Sequence, residues 1–287
     1  MRIAVIGADG QLGTDLLKIL SDHQLFPLYY PKFDITKPEQ TKQDLSRIRP
    51  DVVINTAAYH RVDECEDHPE EAFLVNSLRV RDLAVFCNSM EAVLVHFSTD
   101  YVFDGKKKFP YIEEDSPNPL SVYAASKLAG EHFVRNYCER YFLIRTCGLY
   151  GVAGCWGKGG NFVDTVVSMA RNDKTLRVVD DQVVTPTSTE ELAVRIAELI
   201  QTSHHGLFHL TNEGQCTWYE FACFVLEDLG LSADIMAVDS KTYGAKARRP
   251  AYSVLENKKA KNLGLSDFSD WKTALHRYLA AKGYSQG

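Results

Sequence analysis

Tyr123-Ala124-Ala125-Ser126-Lys127 sets a phenol and an ammonium four residues apart, which on a helix puts both on one face. A free phenol, with a pKa of about 10, is a poor acid–base group at neutral pH. A neighbouring cation stabilises the phenolate, and bringing the group to about 7 corresponds to roughly 4 kcal/mol. Tuned in that way, Tyr123 can hand a proton to a carbonyl oxygen while a hydride arrives from a cofactor. The spacing alone arises by chance on any helix. Its weight comes from Ser98-Thr99-Asp100, which closes an apolar strand segment upstream. Thr99 is placed there to hydrogen-bond the reacting oxygen, so that acid, orienter and cofactor converge.

The cofactor side is carried by Gly7-Ala8-Asp9-Gly10-Gln11-Leu12-Gly13. Glycines permit a tight turn and close backbone approach to a pyrophosphate, and a helix opening there offers free N–H groups and the positive end of its dipole. The spacing is GxxGxxG rather than the commoner GxGxxG. An acidic residue often ends the second strand of such a unit, to bind the adenosine ribose. Here the stretch reads Leu28-Tyr29-Tyr30-Pro31-Lys32, with no acid before Asp34. Lys32 facing a 2′-phosphate would favour NADPH, and a solvated Lys32 leaves NADH open. Other chemistries lack their motifs: there is no GxSxG element, no GK[ST] phosphate loop, and no metal-ligand spacing around His60 or His96. Glu113-Glu114-Asp115 reads as a solvated acidic loop.

These groups need a scaffold. Short, nearly all-apolar strand segments are expected at Ile3–Ile6, Phe26–Tyr30, Val52–Ile54, Val93–Ser98 and Phe142–Arg145. Helices are expected at Gln11–Leu20, Pro38–Ile48, Pro69–Ser89 and Leu120–Tyr137, with a capping-box spacing in Thr36-Lys37-Pro38-Glu39. This alternation predicts a parallel, doubly wound sheet with right-handed crossovers. Beyond residue 150, a glycine-rich loop is followed by capping-box spacings at Ser188-Thr189-Glu190-Glu191 and Thr217-Trp218-Tyr219-Glu220. With short strands near Leu176–Val179 and Leu207–Leu210, this half reads as a smaller C-terminal α/β lobe. The expected division is residues 1–150 for the dinucleotide and mainly 151–287 for the substrate, with an interleaved boundary and a cleft between them.

The chain has 287 residues, 45% hydrophobic and 24% charged, with a formal net charge of -6. Such a chain can bury a sizeable core and is not a disordered protein. The charge offers no basic excess for nucleic acid or an anionic membrane. No apolar run reaches the roughly 18 residues of a membrane span. No signal-peptide pattern precedes the first strand, and the reading is a cytoplasmic protein. Seven cysteines with no CxxC pair read as reduced thiols; Cys147 alone adjoins a candidate site segment.

Taken together, Gly7–Gly13, Asn55-Thr56-Ala57-Ala58-Tyr59, the run STDYVFDG over 98–105, and Tyr123–Lys127 resemble the extended short-chain dehydrogenase/reductases. The resemblance narrows to the dTDP-4-dehydrorhamnose reductase family through Arg145-Thr146, Gly159-Gly160-Asn161-Phe162, the run DQVVTPT over 181–187, and Ala247-Arg248-Arg249-Pro250. It covers nearly the whole chain and implies a Rossmann-type fold. It also implies NADPH- or NADH-dependent reduction at C4 of a dTDP-4-keto-6-deoxysugar, giving dTDP-L-rhamnose for polysaccharide. It assigns Tyr123 as proton donor, Lys127 as its electrostatic partner and ribose ligand, and Thr99 as carbonyl orienter. Gly7, Gly10, Gln11, Leu12 and Gly13 fall at the cofactor pyrophosphate. Asp34 and Ile35 fall near adenine, with Ala57, Ala58 and Tyr59 along the cofactor. Thr99 and Asp100 would touch the sugar, with Asn161 and Arg249 at the nucleotide diphosphate. A homodimer is also implied. Some members carry a Trp where this chain has Gly148, a space that Trp156 could fill. Members are also described with Mg²⁺ between subunits; Asp15 and Glu190 stand at comparable places, but two carboxylates make no site, and no metal residue is assigned. Two alternatives stay open: a non-catalytic, dinucleotide-binding regulatory subunit, and a reductase or epimerase of another nucleotide sugar.

Overall fold

Strands this short and this apolar must be covered on both faces. A computed structural model, which describes residues 1–154, 160–265 and 267–284, shows by what. The chain begins β1 (Arg2–Ile6), α1 (Gln11–Ile19), β2 (Gln24–Leu28), α2 (Pro38–Ile48), β3 (Val52–Asn55) and α3 (Val62–Cys65). It continues through α4 (Pro69–Phe73), α5 (Arg79–Ser89), β4 (Val93–Thr99), α6 (Val122–Tyr137), β5 (Tyr141–Thr146) and β6 (Leu149–Tyr150). Then come α7 (Phe162–Arg171), β7 (Leu176–Val179), β8 (Val183–Val184), β9 (Thr187–Ser188), α8 (Thr189–Leu199) and β10 (Gly206–His209). The last part holds β11 (Cys216–Thr217), α9 (Trp218–Asp228), β12 (Ile235–Val238), α10 (Ser240–Tyr243), α11 (Lys258–Asn262) and α12 (Trp271–Ala281).

Six parallel strands form the main sheet in the order β10-β5-β4-β3-β1-β2. Side chains alternate across it, as a pleated strand requires. Ile3 and Val5 pack with Leu12 and Leu16 of α1 and Leu192 and Ile196 of α8. Ala4 and Ile6 point the other way, into Leu45 of α2, Leu83 of α5 and Val134 of α6. The expected α/β doubly wound, Rossmann-type sheet is therefore present. The order reverses between β1 and β3, and in open parallel sheets the crevice at such a switch point is where ligands bind. Pro27 sits in β2 at the sheet edge, where its missing N–H removes no ladder bond. A further core gathers α7, α9 and α12 around Phe221, Val167 and Leu275.

Five local expectations are corrected. The strand near residues 207–210, assigned to the smaller lobe, instead pairs with β5 and forms the edge of the main sheet. Thr36 does not cap α2: its hydroxyl donates to Asp34 at 2.7 Å, and Lys37 precedes the helix without a side-chain cap, leaving Pro38 as the start signal. Ser188 likewise makes no cap bond at α8, whereas Thr217 and Glu220 form the full capping box of α9. The helix expected over 69–89 is continuous but widens into a π turn at Leu74–Leu78. The acidic loop is not uniformly solvated either. Glu113 is buried, accepting the N–H groups of His209 and Lys259.

Among the described residues, no helix is long and apolar enough to cross a membrane. Six cysteines there are free thiols; Cys155 and Trp156 lie outside the described residues.

Candidate active site

The turn from β1 into α1 explains the glycine spacing. Gly7 adopts φ +74°, and a Cβ there would meet Thr56 Oγ1 at 2.6 Å. Gly10 caps α1 in extended conformation with no side-chain cap. The first-turn amides of α1 have no carbonyl in the helix to serve, so they face outward with the positive end of the dipole. Gly13 does something else: a Cβ there would sit 2.3 Å from the Gly7 carbonyl oxygen, so it lets the helix pack onto its own loop.

A cavity of ≈ 790 Å³ opens from this turn across the ends of β1, β3 and β4. Gly7, Gly10, Gln11 and Leu12 line one part, with Asp34 and Ile35 beside them and Ala57, Ala58 and Tyr59 along the wall. Thr99, Asp100, Tyr123 and Lys127 close the inner end, and Asn161 lines the C-terminal side. Gly13 and Arg249 are not among the lining residues, and neither is Lys32. Asp34 is a turn-former as well: its carboxylate accepts the Thr36 N–H at 2.9 Å.

Tyr123 and Lys127 occupy successive turns of α6. The start of that helix is fixed twice, by the Ser121 hydroxyl accepting from Ala124 N at 3.3 Å and by Glu66 accepting the Val122 N–H at 2.8 Å. Tyr101 meets the Tyr123 ring edge-on, at 6.3 Å between centroids. The expectation that the Tyr123 phenol is tuned toward neutrality is not met in the protein without cofactor. Burial, then the Asp100 charge, push the phenol well above its ordinary value. Burial in turn pushes the Lys127 ammonium down to about 8, against the pull of Glu131 one turn further along. Tyr123 therefore holds its proton throughout the neutral range. That state suits a donor and not a resting base.

Sequence reasoning missed several supports. Asn76, buried on the π turn, receives the Tyr59 N–H at 2.9 Å and donates to Tyr59 O and Ser126 Oγ, each at 3.0 Å. It ties the cavity wall to α6. Below Lys127, Arg145 grips Glu131 through two bonds of 2.8 and 2.6 Å, and Ser98 donates to the same carboxylate at 2.5 Å. Asn55 bonds His96, whose buried ring is kept neutral by desolvation and by Lys127. No short motif joins residues so far apart in the chain. Glu131 alone had a signal, since it continues the four-residue step of Tyr123 and Lys127 along α6.

The diphosphate candidates are engaged with protein. Asn161 caps α7 and donates to Gln11 Oε1 at 2.9 Å and to the Tyr278 hydroxyl at 3.0 Å. Arg249 forks onto Asp63 at 3.1 and 2.9 Å and holds that carboxyl below its usual range. Opposite the inner end stands an aromatic pair, Phe162 and Trp218, with centroids 4.9 Å apart. Trp218 approaches to 3.1 Å of where a Gly148 Cβ would stand. The space beside Gly148 is thus taken by an indole from α9. Asp15, buried, accepts the Thr189 hydroxyl at 2.5 Å. Among the described residues, no group of three or more His, Cys, Asp or Glu is placed to hold a metal ion.

Comparison with known proteins adds the following. A model of the RmlD substrate binding domain matches residues 1–283. The chain is 37% identical to the spore coat polysaccharide biosynthesis protein SpsK of Bacillus subtilis, over 97% of this chain and 96% of that protein. It is 34% identical to the dTDP-4-dehydrorhamnose reductase of Escherichia coli, over 97% of each. A crystal structure of dTDP-4-dehydrorhamnose reductase from Bacillus anthracis in complex with NADP superposes with a TM-score of 0.93 at 35% identity, over 98% of this chain and 99% of that one.

Proposed function

The chain belongs to the RmlD substrate binding domain family and is an oxidoreductase. From that premise we propose that it reduces the C4 ketone of a dTDP-4-keto-6-deoxysugar, converting dTDP-4-dehydrorhamnose to dTDP-L-rhamnose with NADPH. One observation carries the reading: a phenol that keeps its proton, a hydroxyl, an ammonium and a glycine turn converge on one cavity at the switch point of the sheet. The residues fit a dinucleotide. Gly7 makes the left-handed turn, Gly10 leaves room for a backbone approach, and the first-turn amides of α1 match a pyrophosphate. Lys127 is the ribose ligand and Asp34 and Ile35 flank the adenine. NADPH rather than NADH rests on the Bacillus anthracis relative, because Lys32 does not line the cavity. When bound, the nicotinamide supplies the hydride.

The chain's own part is proton and position. Tyr123 gives its proton to the ketone oxygen as charge develops there. Lys127, cationic below about 8, stabilises the phenolate left behind. Thr99 holds the reacting groups in register, and Asp100 borders the sugar. Phe162 and Trp218 offer apolar faces to the sugar. Arg249, if it exchanges Asp63 for a phosphate, serves the diphosphate, while Asn161 supports that end through Gln11. Residues 1–150 carry most of the cofactor contacts and the later residues most of the sugar contacts.

The test is an NADPH-oxidation assay across dTDP-, UDP- and GDP-linked 4-keto-6-deoxysugars, with the product identified by NMR. Turnover of the dTDP substrate is expected. Tyr123→Phe, which keeps the packing, is expected to lower turnover by about 10²–10⁴-fold with NADPH binding retained. Wild-type turnover by that variant would remove Tyr123 from the mechanism. A wild type that binds NADPH tightly and reduces no sugar nucleotide would replace the enzyme with a regulatory dinucleotide-binding protein.

A further inference from the structure

The Asp100 side chain is 2% exposed and collects three protons from three stretches of chain. The Thr99 hydroxyl donates to Oδ1 at 3.0 Å; the Cys147 thiol and the Ser253 hydroxyl donate to Oδ2 at 3.1 and 2.5 Å. Ser253 is itself fully buried, and its N–H is bonded to the Val183 carbonyl at 2.9 Å, so its hydroxyl comes from a fixed backbone. A carboxylate oxygen can only accept. The single proton of Thr99 is therefore spent on Asp100. Thr99 Oγ1 also accepts the Tyr101 N–H at 3.2 Å. A hydroxyl with its proton and one lone pair committed has one acceptor site left and nothing to donate. Thr99 and Tyr123 line the same inner end of the cavity.

We propose that Ser253, assisted by Cys147, is a positioning residue for the reaction: it anchors Asp100 so that Thr99 stands at the inner end of the cavity, with Tyr123, as an acceptor. This rests on the reductase reading above and changes one part of it. Thr99 serves as an acceptor, and Tyr123 alone donates to the ketone oxygen.

The arrangement holds only while Asp100 is ionised. Oδ1 receives one donor where Oδ2 receives two, so it is the oxygen that takes up a proton; it then ceases to accept from Thr99, whose hydroxyl becomes a competing donor in the cavity. Burial pushes the Asp100 carboxyl up to about 6, and the hydroxyl of Ser253, then the thiol of Cys147 and the hydroxyl of Thr99, pull it back. The titratable groups around it are Tyr101 after β4, Tyr123 on α6 and Cys147 after β5, with Arg249 standing behind Tyr101. The phenols and the thiol are all raised by their surroundings and stay neutral near that pH. Asp100 is the group of this set that changes charge there.

Ser253→Ala tests the assignment. Losing one donor to a buried carboxylate raises its pKa, so the acid limb of the kcat profile is expected to move up by about one pH unit. At neutral pH kcat is expected to fall about tenfold, with KM for the sugar nucleotide and NADPH affinity within about twofold of wild type. Ser253→Cys keeps a proton donor of similar size and is expected to recover part of both effects. An Ala variant with wild-type kcat and an unmoved acid limb would overturn the proposal, and so would equal impairment of the Ala and Cys variants with that limb unmoved. Carboxyl ¹³C NMR of aspartate-labelled protein, with the Asp100 signal identified through Asp100→Asn, reads the same shift without turnover. If the wild type reduces no sugar nucleotide, the reductase reading fails. The titration then decides for Ser253 separately: a higher Asp100 midpoint in the Ala variant supports the anchor, and an unchanged one ends it.

Discussion

Gly10 and Gly13 look alike in the sequence and are opposite in use. A side chain at Gly10 would meet only the Gly7 carbonyl, at 3.3 Å, and would project into the cavity; one at Gly13 would strike the same carbonyl at 2.3 Å from within the fold. Gly10→Leu is therefore expected to abolish NADPH binding in a calorimetric titration while its urea midpoint stays near wild type. Gly13→Ala is expected to cost about 1–3 kcal/mol in the same denaturation experiment, as overpacking does. Reversal of the two outcomes would mean that the loop meets its ligand differently. The spacing made the loop legible, because strand, glycine turn and helix follow each other within a few residues. It could not say which glycine faces the ligand and which the helix. The Tyr123–Lys127 pair was legible for the same local reason. Its electrostatics were not, because the Asp100 charge and the burial that set them come from other parts of the chain.

At the scale of elements, the decisive contact is α6 on the π turn. Gly130, one helical face with Lys127, lies where a Cβ would come within 2.3 Å of the Asn76 carbonyl oxygen. That carbonyl is backbone, so relief requires the helices to part. Gly130→Ala is expected to destabilise the protein by about 1–3 kcal/mol and to lower kcat severalfold, since α6 carries both Tyr123 and Lys127. Urea denaturation and steady-state kinetics check it; an unchanged kcat in a destabilised variant would show that α6 keeps its aim without this contact. The helix over 69–89 was readable from its apolar spacing, and α2 from Pro38. The π turn was not, because a single wide turn over Leu74–Leu78 is too short to register as a period of its own. The two capping boxes fail beside contacts that residue spacing does not encode: Asp34 claims the Thr36 hydroxyl, and the Ser188 N–H, which Glu191 would accept in a capping box, goes to Asn212 at 2.8 Å.

Across the whole molecule, Asn161 is the joint between the later elements and the phosphate loop. One amide caps α7, reaches Tyr278 on α12 and holds Gln11 at the start of α1. Asn161→Ala is expected to cost about 2 kcal/mol, combining a lost cap with buried partners left unpaired. It is also expected to weaken NADPH binding severalfold, because Gln11 loses what holds it. Thermal or urea unfolding with an NADPH titration checks both; wild-type affinity would show the loop to be independent of α7. The sequence pattern located the change of character near residue 150 but not the return of the chain to the main sheet, since β10 looks like any short apolar strand until its partner is known. That return governs the order in which the protein can be made. When β1 to β5 have been synthesised, β5 still shows an open edge, and Phe142, Ile144 and the inner face of α1 lack the covering that α8 and β10 bring. The nascent chain must shield an unpaired, apolar strand for some sixty residues of synthesis, the stage at which such edges invite aggregation. The first 150 residues thus cannot finish folding before the later ones are well under way.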